Sequence, residues 1–485
     1  MNRAGVRCRY KLQHDQNFTP RVHPGAVPEL TPLSDTSTVG LQPLPSHADL
    51  SKVLNTVLFL NITTRKAYSS RTRAFLSALA PLDESAIAAT LKDPDHALRE
   101  AERKTTQAKQ EASEQSRTLR NVGIGLSAVA GGVLIGVTGG LAAPLVGAGV
   151  TSILGWLGVG GTAAGLLASG LASSSVVCGA LFGAYGSKRS AETVGRYLRE
   201  VNDLAIVPVH KPRNTLAVRL CVSGWLDSPE DVIAPWTVFG DGEDTFALQW
   251  EVDALQNLSN ALSILIKAQA MKYVKAEIIR RTVFASLFAA LSPTAWLKLA
   301  QIIGKTGRVL GKLLAQRVLG NRPVILTGYS LGSLVIFEAL QYLASLPPSE
   351  TAGLIQDVYL FGSPVPTDET AWAAARRVVA GRLVNGYGSN DYILAVLSRV
   401  SDMSWSVAGL EPVVVKGVEN VACEQVDGHL KWRSVIGQCL QMCNAPGLVE
   451  KEVKEQKNLE VEHEMDLHGP DIKQVIELAP KGEPR

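Results

Sequence analysis

The pentapeptide Gly328-Tyr329-Ser330-Leu331-Gly332 lies between a run of strand formers, "PVILT", and an apolar helical run, "SLVIFEAL". A serine held between two glycines at a strand-to-helix corner has the makings of a nucleophile. Gly328 and Gly332 leave room for a strained turn that lifts the hydroxyl above the sheet. The same turn puts the Leu331 N–H at a helix start, where the helix dipole helps an amide receive an oxyanion. An ordinary structural corner has the same letters. The hydroxyl becomes reactive only with a base beside it and a carboxylate behind that base.

Downstream of Ser330 the histidines are His429, His463 and His468, and the last two fall in a charged tail. The expected base is therefore His429, in "QVDGHLKWR". For the acid, Asp391 follows the run "GRLVNGYG" directly, at the carboxyl edge that open α/β sheets use for their sites. Asp427 stands only two residues from His429, an offset that rarely lets a carboxylate meet the far side of the imidazole. Asp357 and Asp368 are fallbacks, the former read as a strand-start residue. A second oxyanion donor is expected from the Trp225 N–H in "VSGWLD", with a plain strand-end turn as the alternative. The chemistry expected of Ser330, His429 and Asp391 is acyl transfer, and it requires no metal or organic cofactor. Cys8, Cys178, Cys221, Cys423, Cys439 and Cys443 are scattered, with one close pair and no second pair for a zinc site, so they read as free thiols.

These residues need elements to hold them. "TLAVRLCVSGW", "PVILTG", "QDVYLFGSPV" and "GRLVNGYG" read as strands separated by helical segments, the pattern of a mostly parallel sheet covered on both faces. Ahead of this unit, residues 1–48 read as a loose tail and 49–120 as a helical region. The polar run "EAERKTTQAKQEASEQSRTLR" within it looks coiled-coil-like, a surface for a protein partner. Between Arg120 and Lys188 there is no Asp, Glu, Lys, Arg or His. Two passes of about 20 residues fit there. Gly132, Gly136 and Gly140 recur at the spacing that lets membrane helices approach closely. Residues 121–187 are thus expected to form a glycine-rich transmembrane hairpin. The basic residues at both ends place both termini on the cytoplasmic side of an intracellular membrane. Residues 188–444 form the α/β unit and 445–485 a charged, disordered tail. A second apolar run, Val283 to Leu297, is broken by Pro293 and reads as a lid or interfacial helix.

Composition sets the outer limits. Of 485 residues 46% are hydrophobic and 19% charged, and the mean hydropathy of +0.11 is high for a purely soluble chain. A net charge of +3 is too mild to point to nucleic acid. The first thirty residues hold no apolar stretch of the secretory kind.

Taken together, "GVTGGLAAPLVGAG", "RPVILTGYSLGSLVIFEAL", "GRLVNGYGSNDYIL" and "VDGHLKWR" resemble the transmembrane and coiled-coil domain-containing protein 4 family. The resemblance runs from about Ser51 to Met442. It implies an α/β-hydrolase fold, a membrane hairpin and a triad of Ser330, Asp391 and His429, coinciding with the choice made from position. Two functions follow as expectations. One is a membrane-associated serine hydrolase cleaving a lipid or acyl ester. The other is a non-catalytic scaffold or trafficking factor that uses the same fold as a docking surface.

Overall fold

The computed structural model describes residues 46–96, 99, 174–182, 194–197, 201–240, 242–260, 293–391, 394, 406–426 and 428–456. Its centre is a seven-stranded sheet: β1 Ala205–Pro208, β2 Val218–Val222, β3 Asp244–Gln249, β4 Val324–Tyr329, β5 Ile355–Phe361, β6 Leu383–Tyr387 and β7 Val418–Ala422. The spatial order is β1-β3-β2-β4-β5-β6-β7. β1 runs antiparallel to β3, and every other pairing is parallel. β2, β4 and β5 are buried along their whole length, which is why they read as continuous apolar runs rather than alternating ones.

The chain goes from β2 outward to β3, then returns to the opposite side of β2 to make β4. The order therefore reverses between β2 and β4. In open sheets the crevice beyond the carboxyl ends of such a pair is where sites form. Helix α6 (Leu331–Ser345) packs against α5 (Pro293–Ala315) and against α7 (Glu369–Val378), and it lies on β4. Gly307 and Gly311 on α5 let α6 come close. A Cβ at the first would lie 2.3 Å from the Cβ of Glu338, and one at the second 2.6 Å from Tyr342. Helix α8 (Trp432–Met442) packs against β4 and against the 3-10 turn Ala234–Trp236.

A second, helical core lies beside the sheet. It joins α1 (His47–Arg65), α2 (Ser70–Ser77), α3 (Glu84–Lys92) and α4 (Ser174–Phe182). Leu54, Leu58 and Ile62, four residues apart on α1, meet Ile87 and Leu91 of α3 and Val177 and Leu181 of α4 in one cluster. Backbone bonds tie this layer to the turns that precede β4 and β5: Tyr68 N–H to Asn321 and Ser70 N–H to Gly353. It thus meets the amino ends of those strands, opposite to the crevice.

Two described stretches, 174–182 and 450–456, pack otherwise than the sequence reading expects. Within the hairpin expected over 121–187, the described residues of α4 bury Val177, Leu181 and Phe182 in the helical core. Apolar composition alone does not separate a helix facing lipid from one facing protein. Residues 121–173 lie outside the described residues. Among the described residues no helix is long and apolar enough to cross a membrane, so the multi-pass expectation finds no support there. The folded part also runs past Ala445: a helix over 450–456 packs Val453 into the core, and the Gln456 amide donates to Pro235 and accepts from Gly437. Pro293, expected to break the apolar run Val283 to Leu297, is the first described residue of α5. The polar run 100–120, the lid residues 283–292, the tail 1–45 and residues 457–485 lie outside the described residues.

Candidate active site at the strand-order reversal

Ser330 stands between β4 and α6 with φ 52° and ψ −129°. A side chain at positive φ is costly and persists only where neighbours enforce it. They do. Its N–H donates to Phe361 of β5 at 2.9 Å. A Cβ at Gly332 would lie 2.1 Å from the Val222 carbonyl oxygen, and one at Gly328 2.7 Å from Ile336. Gly332 is therefore required by close approach to backbone, while at Gly328 the Ile336 side chain would have to shift. On the other side of the crevice, Gly224 is pressed onto the same turn. A Cβ there would lie 2.2 Å from the Tyr329 oxygen and 2.3 Å from the Leu331 nitrogen.

The loop after β2 is held from several directions. Ser223 receives the Trp236 indole N–H on its hydroxyl at 3.0 Å and the Trp250 indole N–H on its carbonyl at 3.2 Å. The Tyr329 hydroxyl donates to the Trp225 carbonyl at 3.1 Å, and burial pushes that phenol's pKa above its ordinary value. Asp231 accepts the N–H groups of Asp227 and Ser228 on one oxygen, and Arg433 of α8 reaches that oxygen at 2.6 Å. Gly224 thus lies against the Leu331 amide, and Trp225 is its neighbour in a braced loop. Leu331 is the first residue of α6, among the amides that an α-helix leaves without an internal partner.

Of the sequence-chosen residues, three side chains meet. Ser330 Oγ is 2.6 Å from His429 Nε2. His429 Nδ1 is 2.7 Å from Asp391 Oδ2. They are 3%, 4% and 0% exposed, so each depends on the others to replace water. His429 opens a 3-10 turn, His429–Lys431, that leads into α8. Asp391 lies just past β6, its Oδ1 accepting the Leu394 N–H at 3.0 Å. The fallback acids go elsewhere. Asp368 caps α7 by accepting from Ala371, and Asp357 on β5 accepts the Arg382 N–H at 2.6 Å, its pKa raised by burial. Asp427 lies outside the described residues. Among the described residues no three His, Cys, Asp or Glu side chains converge as a metal ion requires.

Three contributors were missed from sequence. Ser333 lies one turn into α6, accepts the Phe361 N–H at 3.1 Å and donates to Gly328 at 2.8 Å, clamping β4 to β5 beneath the Ser330 turn. Trp432 donates its indole N–H to Asp391 Oδ2 at 2.9 Å. Arg433 braces the loop after β2. Their only signal was the spacing from Ser330 and from His429, which has no meaning until the partners are known.

Comparison with protein families decides the kinship. Residues 116–445, well over half the chain, match the model described as "Protein of unknown function (DUF726)". The chain belongs to the DUF726 family. An uncharacterized membrane protein of Schizosaccharomyces pombe is 37% identical over 70% of this chain. The transmembrane and coiled-coil domain-containing protein STS1 of Oryza sativa is 35% identical over 66%. Probable lipase MIL1 of Saccharomyces cerevisiae is 34% identical over 64%. These DUF726 relatives accord with the resemblance to the transmembrane and coiled-coil group. The matches cover 62%, 51% and 29% of the three relatives' own lengths, so the chain corresponds to a part of each.

Proposed function

We propose that the chain is a membrane-associated serine hydrolase of α/β-hydrolase type that cleaves a lipid or acyl ester. The observation that carries this reading is the continuous chain from Ser330 Oγ to His429 Nε2 and from His429 Nδ1 to Asp391 Oδ2, at 2.6 and 2.7 Å. His429 takes the proton of Ser330 as its oxygen attacks the ester carbonyl. Asp391 holds the imidazole in the tautomer with hydrogen on Nδ1 and stabilises the imidazolium that forms. The Leu331 and Trp225 N–H groups receive the oxyanion. His429 then gives its proton to the leaving alcohol, and the acyl-serine is hydrolysed by water with the same base. The lipid-like substrate is supported by the charge-free stretch before Lys188 and by relatives named as membrane proteins and as a probable lipase.

The test is covalent labelling of the full chain with an alkyl fluorophosphonate. Wild-type protein is expected to be modified at Ser330. Ser330→Ala is expected to lose both the label and esterase turnover by about 10⁴-fold or more. Folded wild-type protein that takes no label would overturn the reading.

The near-complete burial of Ser330 and His429 favours a second reading, a non-catalytic scaffold in membrane traffic. A Ser330→Ala cell line indistinguishable from wild type, beside a deletion line with a phenotype, would select it.

A further inference from the structure

We infer that Trp432 is the positioning residue for the acid, holding the Asp391 carboxylate in the rotamer that serves His429. This rests on the hydrolase reading and deepens it.

His429 and Trp432 are three residues apart where the 3-10 turn enters α8, a spacing that sets both on one side of the turn. Their ring N–H groups converge on the same oxygen, Asp391 Oδ2, at 2.7 and 2.9 Å. The Leu394 N–H occupies the other oxygen at 3.0 Å. A carboxylate with no exposure to water, gripped on both oxygens, cannot rotate without losing three hydrogen bonds. An indole N–H donates and never accepts, so Trp432 can serve Asp391 only as a donor.

The indole itself is fixed. Trp432 is fully buried, and Gly362 lies against its ring, where a Cβ would come within 2.3 Å of Nε1. Among the described residues the other fully buried tryptophans end on neutral acceptors: Trp236 on the Ser223 hydroxyl, Trp250 on the Ser223 carbonyl and Trp372 on the Pro366 carbonyl. Of these four, Trp432 alone donates to a carboxylate, and that carboxylate is the one behind the base.

The experiment measures fluorophosphonate labelling rates and the turnover of a short-chain p-nitrophenyl ester by the full chain. Trp432→Phe, and position 432 bearing 3-benzothienylalanine, both remove the N–H. The second keeps the bicyclic shape and carries the test if the first does not fold. Labelling and kcat are expected to fall about 10- to 100-fold, the scale of one hydrogen bond to a charged group, with KM changed less than about threefold. In an Asp391→Asn background the same change is expected to cost under about threefold, because its effect passes through the carboxylate. A benzothienyl variant labelled at the wild-type rate would overturn the inference while leaving the hydrolase reading intact. So would an equal loss in both backgrounds, the mark of a merely structural role. Wild-type protein that takes no label would overturn the hydrolase reading itself.

Discussion

Two serines one helical turn apart do different work, and their partners say which does what. Ser330 sits at positive φ with its oxygen toward an imidazole. Ser333 is fully buried and spends its hydroxyl on backbone groups of β4 and β5. Ser333→Ala removes the hydroxyl's hydrogen bonds to the Gly328 carbonyl and the Phe361 N–H, a loss of about 0.5–1.5 kcal/mol. The expected outcome is a lower denaturation midpoint with fluorophosphonate still attached at Ser330. Loss of label in a variant of wild-type stability would instead make Ser333 part of the chemistry. At this scale the sequence pointed to three side chains that meet, Ser330, His429 and Asp391, because chain order and the end of a strand restrict which histidine and aspartate can meet a serine. It did not disclose Trp432 or Ser333. An indole or a hydroxyl in an apolar run looks like packing until the acceptor opposite it is known.

At the scale of elements, the crevice depends on β2 and β4 ending in register, with Val222 beside Gly328. That register delivers Gly224 onto the Ser330 turn, against backbone atoms that cannot give way. Gly224→Ala would push a methyl group to within 2.3 Å of the Leu331 nitrogen. Overpacking of this kind costs about 1–3 kcal/mol or more. The variant is expected to lose labelling even in the fraction that stays folded, read by labelling beside near-UV circular dichroism. Full labelling at wild-type stability would mean that the loop after β2 is not part of the site. β2, β4, β5 and β6 were legible because strands buried on both faces are runs of apolar, β-branched residues. β1, β3 and β7 were not. β1 is four residues ending in proline, β3 begins at an aspartate, and β7, "VENVA", lies at the sheet edge with its polar residues exposed.

At the scale of the whole molecule, a buried ionic network joins the helical layer to the sheet. Arg73 of α2 binds Glu84 of α3 through two nitrogens, each at 2.8 Å, and reaches Glu243 at 3.2 Å. Glu243 also meets Arg219 of β2, whose guanidinium donates to Pro446 near the chain's described end. Charge patterning along the sequence separated the helical, charge-free and α/β segments, but it gave no sign of these long-range pairs, which span up to 227 positions. Arg73→Met leaves Glu84 and Glu243 without a guanidinium between them. Breaking a buried pair costs about 3–5 kcal/mol, and the residual exposure of Arg73 lowers the expectation to about 2–4 kcal/mol. The pH dependence follows from Glu243. Burial pushes its carboxyl up, but Arg219 and Arg73 outweigh that and hold it below the ordinary value. A depressed carboxyl stabilises the fold above its unfolded value of about 4.3 and loses that contribution as pH falls through its lower folded value. The gap in urea midpoint between wild type and Arg73→Met is therefore expected to be full at pH 7 and to close below about pH 4. Equal midpoints at pH 7, or a gap unchanged at pH 3, would remove this network from what holds the two layers together.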